Sequence, residues 1–293
     1  MNKLILLILS LSLTFTQISD YTFIGSEASA LAGAVVSDKG HSWSVFHNPA
    51  GISEIPKTHM NAGGAKLYGY SWLSTNHFSL ITNLPKMGKI GFGLFQLETK
   101  NGETVLSNEQ RVSIAHAFIL QKDKNSTLSV GYKLNYNNWF MAPSAGASGD
   151  GTNGISLGYT NSYSIDIGML SDLRKKYRLG AYLTNVTSNA IGNGMTRIAL
   201  PKRINVGLTY IPITQVATSI SAERTLGFKK LILRSAFRYQ IDEIFELLIG
   251  LQSNPNLLGV GGTLLLGNQA ISYSILTHPV LPITHQISFG FYQ

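Results

Sequence analysis

Residues 128–137, LSVGYKLNYN, carry an apolar side chain at every second position and a polar residue or glycine at the positions between. This period of two places the two sets on opposite faces of a β-strand. The same alternation occurs in INVGLTY, residues 204–210, and in QISFGFY, residues 286–292. Each strand therefore has one apolar and one polar face.

Strand-like runs of this kind continue from about residue 58 to residue 293, and breaks that contain Gly, Asn, Pro or Asp separate them. No segment shows a helical period over ten or more residues. We predict an all-β fold, a transmembrane antiparallel up-and-down β-barrel of about 14 strands, because outer-membrane barrels use even strand numbers in this range. The predicted strands lie near residues 58–67, 73–84, 88–98, 107–120, 126–138, 154–169, 176–186, 200–211, 214–223, 228–239, 243–252, 257–266, 269–277 and 283–292.

Connection lengths test this count independently. The two longest connections, residues 139–153 and 187–199, follow the fifth and the seventh predicted strand, whereas the alternate set of connections is short. In barrels whose termini are periplasmic, odd-numbered connections are extracellular and long. Length and parity therefore agree with the predicted barrel.

The composition favours a membrane barrel over a soluble β-domain. Charged residues make up 13% of the chain, and mean hydropathy is only +0.11. Beyond residue 20 no apolar run approaches the roughly 18 residues of a membrane helix. We expect the aromatic residues near strand ends to form interfacial girdles on the apolar faces: Tyr132, Tyr136, Trp139, Tyr210, Tyr239, Phe289 and Phe291. We expect the polar faces to line the lumen with Lys133, Asn135, Arg178, Arg234 and Arg238, because a small soluble core would have to bury these groups without partners.

The N-terminus has the pattern of a secretory signal peptide. Lys3 precedes an apolar run over residues 4–13, and residues 14–16 form a small-x-small site. We predict cleavage near residue 16, export, and location in the outer membrane of a Gram-negative bacterium; the alternative is a first core helix. The chain has no cysteine, which excludes disulfides and a lipidated cysteine. Positive charge is spread along turns and strand ends, so nucleic acid is not an expected partner.

Residues 17–57 differ from the rest. The stretch GSEASALAGAVVSDKGHSWSVFHNPAGISEIP, residues 25–56, is rich in small residues and has neither a period of two nor a sustained helical face. We predict that residues 17–57 form a compact hatch inside the lumen of a barrel formed by residues 58–293.

No residue pattern indicates chemistry. The seven histidines show no HxxxH or HxH spacing, and GxSxG, P-loop and helix-opening GxGxxG motifs are absent. A Ser/His/Asn site, as in outer-membrane phospholipases, has no distinct motif here. We therefore predict a protein that is not an enzyme and has no cofactor and no metal.

One glycine-rich strand leaves two interpretations open. Gly88, Gly91 and Gly93 lie within GKIGFG, residues 88–93. Glycines at this density weaken or bend a strand and could open a lateral gap in the wall. Alternatively, their small size makes room for the hatch.

The hatch stretch resembles a known family. Residues 30–38, ALAGAVVSD, followed by NPAGI at 48–52, resemble the N-terminal signature of the PorV/PorQ family of outer-membrane proteins, within the wider FadL-like superfamily. Residues 200–201, LP, and the run from residue 271 to 289 resemble further family motifs. The signature residues are Gly33, Asp38, Asn48, Pro49, Ala50 and Gly51. The chain departs from the family in Asp38-Lys39, where an acidic pair is frequent, and in Ser272, where Asp is frequent.

This resemblance implies a fourteen-stranded barrel with an N-terminal hatch, from a Bacteroidota-type bacterium. It also implies an accessory role in type IX protein secretion, with a larger translocon barrel or a secreted cargo protein as partner besides outer-membrane lipid. The alternative is a FadL-like channel for hydrophobic small molecules, with an apolar pocket between hatch and wall and a gap beside Gly91 and Gly93. A structural or adhesive barrel that acts through the loops at 139–153 and 187–199 is a third interpretation.

Overall fold

The computed structural model describes residues 21–147, 149, 153–187, 189–192 and 198–293. These residues form one closed barrel of fourteen antiparallel strands, as predicted, with a separate two-stranded ribbon. The predicted signal peptide, residues 1–16, lies outside the described residues. Among the described residues, no helix has the length and apolar character needed to cross a membrane.

The barrel strands follow one another in chain order, and the last strand pairs with the first to close the wall. The strands are β1 (His59–Lys66), β2 (Leu73–Leu84), β3 (Gly88–Asn101), β4 (Thr104–Lys122), β5 (Ser126–Met141), β6 (Gly158–Leu173), β7 (Tyr177–Thr184), β8 (Ala190–Ile191), β9 (Ile198–Ala199), β10 (Arg203–Ile213), β11 (Val216–Thr225), β12 (Leu231–Gln240), β13 (Phe245–Gln252), β14 (Leu257–Leu266), β15 (Gln269–Leu276) and β16 (Thr284–Tyr292). The ribbon consists of β8 and β9, so β7 pairs directly with β10.

The two ends of the barrel differ in their connections. At one end the strands are joined by the short turns at 85–87, 123–125, 174–176, 214–215, 241–244 and 267–268. The two longest connections, from β5 to β6 and from β7 to β10, leave and re-enter the wall at the opposite end. Because short turns face the periplasm in such barrels, the long-loop end faces outward.

The wall has the reverse polarity of a soluble barrel. Outward-facing Leu134, Leu251 and Phe289 are each more than half exposed, whereas inward-facing Ser113 and Thr209 are completely buried. An apolar belt of this kind is the surface that a barrel presents to lipid. Six of the seven aromatic residues expected there lie on the outward face of the wall, and the seventh does not. Trp139 shares the inward parity of Lys133 and packs against Ile191 and Leu200 of the connection above it.

The chain before the barrel fills the lumen. It contains α1 (Ser26–Ala30), α2 (Ser44–His47) and a 3₁₀ helix (Pro49–Ile52). We call residues 21–57 the hatch. Its apolar side chains, including Trp43 and Phe46, form a buried core with inward-facing wall residues such as Phe95 and Leu248. The apolar core of the protein therefore lies between hatch and wall.

Candidate functional site

Glycines let the wall approach the hatch backbone closely. A Cβ at Gly250 would lie 2.5 Å from the backbone nitrogen of Ala32, and one at Gly259 would lie 2.5 Å from the carbonyl oxygen of Ala30. On the opposite side, a Cβ at Gly180 would collide with the backbone of Val36. Any larger residue at these positions would push hatch and wall apart.

Two glycines of β3, Gly91 and Gly93, serve the same purpose. A Cβ at Gly91 would lie 2.8 Å from Val45, and one at Gly93 would lie 2.8 Å from Phe46. Around both positions, β3 pairs with β2 and β4 without a break, and its one register shift lies at Thr99. Gly88, with a φ of 101°, begins the strand after its turn. In this structure the pairing of β3 is intact, and Gly91 and Gly93 make room for the hatch. A lateral opening at this strand stays a prediction.

The NPAG motif seats the base of the hatch. The side-chain oxygen of Asn48 accepts a hydrogen bond from the Ala50 backbone (3.1 Å) at the start of the 3₁₀ helix, and Pro49 occupies its first turn. The Asn48 amide donates to the carbonyls of Val36 (2.6 Å) and of Met169 in the wall (3.2 Å). Because a Cβ at Gly51 would lie 2.7 Å from the Asp38 carbonyl, only glycine fits there. The contacts of this motif are structural ones.

Gly33, another signature residue, has a φ of 78° and lies against the side chain of Arg234. A Cβ there would be 3.1 Å from the Arg234 Nε, and the left-handed backbone favours glycine as well. Its position brings the hatch next to a wall ion pair, in which Arg234 donates to Glu223 at 2.9 Å.

Arg238 ties the hatch to the periplasmic half of the wall. Its guanidinium donates to Asp38 of the hatch (3.0 Å) and to the Nε2 of His41 (2.7 Å), and it lies 3.5 Å from Glu246. Because a guanidinium can only donate, Nε2 of His41 accepts and its Nδ1 carries the proton, 3.3 Å from Glu27. Burial alone would raise the pKa of Glu27, but the hydrogen bond from His41 and the charge of Arg238 lower it to about 2.

A second buried cluster fixes the middle of the hatch. The ammonium of Lys133, which is 2% exposed, donates to the Tyr182 hydroxyl (2.7 Å) and lies 3.1 Å from Asp166. It also reaches the carbonyl of Phe46 in the hatch at 3.4 Å. Asn135 donates to the same Asp166 carboxylate at 3.0 Å. The five polar wall residues named from the sequence all lie on the lumen side: Lys133, Asn135, Arg178, Arg234 and Arg238.

His47 makes the hatch sensitive to acid. Its Nε2 donates to the carbonyl of Ile24 (2.8 Å), and burial together with the charges of Lys133 and Arg234 lowers its pKa from 6.5 to about 4. The unfolded chain therefore takes up this proton first as the pH falls. The stability contributed by neutral His47 is present above pH 6.5 and is lost between pH 6.5 and about 4.

We expect His47→Gln to remove this part of the pH dependence. The wild-type chain should lose on the order of 3 kcal/mol of unfolding free energy through His47 between about pH 7 and about pH 4, and the variant should lose correspondingly less. Urea unfolding of both proteins in the same detergent measures the difference. An equally steep loss of unfolding free energy in the variant would show that protonation of His47 does not cause this pH dependence.

Sequence spacing did not reveal one lumen cluster. Ser288, His77 and Asn61 meet on adjacent strands, with the Ser288 hydroxyl 3.4 Å and the Asn61 side-chain oxygen 3.0 Å from the same His77 nitrogen, Nε2. A nucleophilic relay needs the serine and the orienting residue on different ring nitrogens. The Ser288 hydroxyl also accepts a hydrogen bond from the hatch backbone at Ser26 (3.0 Å), so the cluster holds α1 in place. Among the described residues, no group of three or more His, Asp or Glu side chains could hold a metal ion.

Above the hatch, the lumen widens into a cavity of about 530 Å³, which we call the vestibule. Its volume lies within the about 300–1,000 Å³ range of small-molecule sites. Apolar side chains dominate its wall, and Glu223 and Arg234 lie at its polar margin. The apolar lining includes Phe23, Leu97, Phe228, Ile232, Leu257 and Leu276.

A second, smaller cavity of about 90 Å³ lies beside the hatch and is lined mainly by polar groups such as Arg111, Asn135 and Asn205. The FadL-like alternative predicted an apolar pocket between hatch and wall, but none of the apolar residues that line the vestibule was named from the sequence. Its signal is an apolar residue at inward parity near the outer end of a strand, as at Leu97, Leu257 and Leu276.

Comparisons with known proteins bear on the fold. No protein-family model matches the chain, and no curated protein matches it. Among solved structures, the toluene transporter TodX of Pseudomonas putida superposes with a TM-score of 0.65 at 13% identity, over 94% of this chain and 99% of TodX. The toluene transporter TbuX of Ralstonia pickettii gives 0.63 at 11% identity over 94% and 100%, and a FadL homologue of Pseudomonas aeruginosa gives 0.60 at 11% over 92% and 98%. The chain therefore has the fold of the FadL-like outer-membrane barrels.

Proposed function

We propose that this protein is an outer-membrane channel that binds small hydrophobic molecules in the vestibule and passes them inward when the hatch moves. The observation that carries the proposal is the apolar vestibule of about 530 Å³, which lies between residues 21–23 of the hatch and connections at the long-loop end. Similar barrels are described as transporters of toluene and as a monoaromatic hydrocarbon channel, which makes an aromatic hydrocarbon a suitable first probe.

The contrast between the two lumen cavities supports this function. An apolar molecule gains free energy on leaving water for the vestibule, whereas the small polar cavity offers it little apolar surface. The buried ion pairs around Lys133 and Arg238 close the path below the vestibule. Passage therefore requires the hatch to shift relative to the wall.

We expect Leu97→Asn to weaken toluene binding by about tenfold or more. Leu97 is 9% exposed on the vestibule wall. Its replacement removes apolar surface from the site, and full burial of a leucine side chain contributes about 1.5–3 kcal/mol. Displacement of a fluorescent hydrophobic probe from the detergent-purified protein by toluene measures the affinity.

The matched control is Leu200→Asn, because Leu200 is similarly buried but lines the polar cavity and not the vestibule. This control should leave toluene binding within about twofold of wild type. Equal affinity in Leu97→Asn and wild type, with both proteins folded, would place the binding site outside the vestibule.

The accessory role in type IX secretion stays a prediction that rests on the motif resemblance alone. The solved structures described above give it no support, and the NPAG residues are engaged in seating the hatch. If the role exists, the protein should co-purify with a larger barrel, and its deletion should impair secretion of sorting-domain cargo. Intact secretion without a co-purifying barrel would end this hypothesis.

A further inference from the structure

The outer surface of the barrel has an apolar groove of about 980 Å³ on β7 and β10–β14, near the long-loop end. Strand register places two rows of outward side chains in it. One row contains Val206, Ala222 and Leu233, and the next row below contains Leu208, Ile220 and Ser235. The small, half-buried Ala222 and Ser235 form its floor, while leucines such as Leu179 and Leu251 stand at its sides.

A group of cations lies directly above this groove. Arg224 faces outward in the row above Ala222, opposite Ile204 and Leu231. Lys202 lies close to Arg224, since the backbone of Leu226, two residues after Arg224, donates a hydrogen bond to the Lys202 carbonyl (2.8 Å). Lys229 is exposed on the connection between β11 and β12. We call Lys202, Arg224 and Lys229 the rim cations.

The acidic residues that are near the rim cations in sequence do not balance their charge. Between Asp172 and Asp242 the only acidic residue is Glu223, and its side chain is 7% exposed, faces the lumen and pairs with Arg234. The same connection exposes Leu226, by 46%. The rim cations and an exposed apolar side chain are therefore adjacent.

We infer that this surface is a binding site for a phosphorylated, acylated lipid of the outer leaflet, with its acyl chains in the groove and its phosphate on the rim cations. The positions of the rim cations and of the groove fit such an amphiphile. The rim cations lie at the long-loop end, which faces the outer surface, and the groove begins one row of side chains further into the apolar belt. Clustered Lys and Arg residues beside a membrane recognise anionic head groups. This site faces away from the lumen and does not depend on the vestibule.

The test is native mass spectrometry of the detergent-purified chain, titrated with lipid A and with its dephosphorylated form. We expect phosphorylated lipid A to bind more tightly. The triple variant Lys202→Gln/Arg224→Gln/Lys229→Gln should lose roughly fivefold in affinity for each cation, about a hundredfold in all. Ala222→Trp, which fills the floor of the groove, should weaken both forms of the lipid.

Matched variants control for nonspecific effects. Lys86→Gln/Lys122→Gln/Lys175→Gln removes three exposed cations from the short turns, and Ala62→Trp enlarges an outward alanine on β1. Both should bind lipid A as the wild type does, with migration of unheated protein on gels confirming a folded barrel. Equal binding of phosphorylated and dephosphorylated lipid, an unaffected rim variant, or an equal loss in the controls would each overturn the inference.

Discussion

Replacing Asp166 by alanine is expected to lower the free energy of unfolding of this barrel by about 3–5 kcal/mol. The carboxylate accepts hydrogen bonds from Tyr182 (2.7 Å), Asn135 (3.0 Å) and the backbone of Asn185 (2.8 Å), and it is 3.1 Å from the Lys133 ammonium. Without it, the Lys133 amino group is left in a nearly inaccessible site with no carboxylate in contact. Equilibrium urea unfolding in lipid vesicles measures the change.

Two controls separate the buried charge from the loss of a side chain. Glu98→Ala removes a carboxylate from the more exposed pair with Lys100 (2.7 Å) and should cost less than about 1 kcal/mol. The double variant Lys133→Met/Asp166→Leu replaces the ion pair by apolar groups and should be at least about 2 kcal/mol more stable than Asp166→Ala. A double variant that is less stable than the single one would contradict this account.

Much of the fold could be predicted because each strand separates two environments. The alternation over residues 128–137 is complete because one face of β5 meets lipid and the other meets the hatch. Polar residues are unfavourable on the first face, and large apolar residues do not fit on the second. The strand count came from the number of such runs, and the lengths of the connections agreed with it. Trp139 was placed wrongly because an aromatic residue at a strand end suits both a lipid interface and the contact with Ile191 and Leu200 under a long loop. The ribbon of β8 and β9 was missed because its strands are two residues long.

The hatch was recognisable as a separate segment, but its partners were not. Asp38 and Arg238 lie 200 positions apart, and neither the period of a strand nor a local motif pairs them. The same holds for Ser26 and Ser288, whose contact depends on how deep α1 lies in the lumen. Gly91 and Gly93 illustrate the limit most clearly. Sequence allowed either a weak wall or room for a neighbour, and it did not name Val45 and Phe46 as the neighbours that lie against these two glycines.

Locking the hatch to the wall with the disulfide of a Ser37→Cys/Thr209→Cys variant is expected to abolish passage of hydrophobic molecules, with a reduction of at least about tenfold. The two hydroxyl oxygens are 2.7 Å apart, which brings the side chains close enough for a disulfide. The chain has no cysteine of its own, so the engineered pair has no competing thiol. Uptake of toluene into vesicles that contain the purified protein, before and after reduction, measures the effect.

Reduction of the disulfide should restore uptake to the wild-type rate, because the two thiols leave the hatch free to move. The control is Thr58→Cys/Thr82→Cys, whose parent hydroxyls are 3.1 Å apart, one directly before β1 and the other on β2. This disulfide joins wall to wall and should leave uptake unchanged under both conditions. If the hatch-to-wall disulfide forms quantitatively and uptake persists at the wild-type rate, the molecules do not pass the hatch. Such a result would leave the vestibule as a binding site and would require a path that avoids the interface between Ser37 and Thr209.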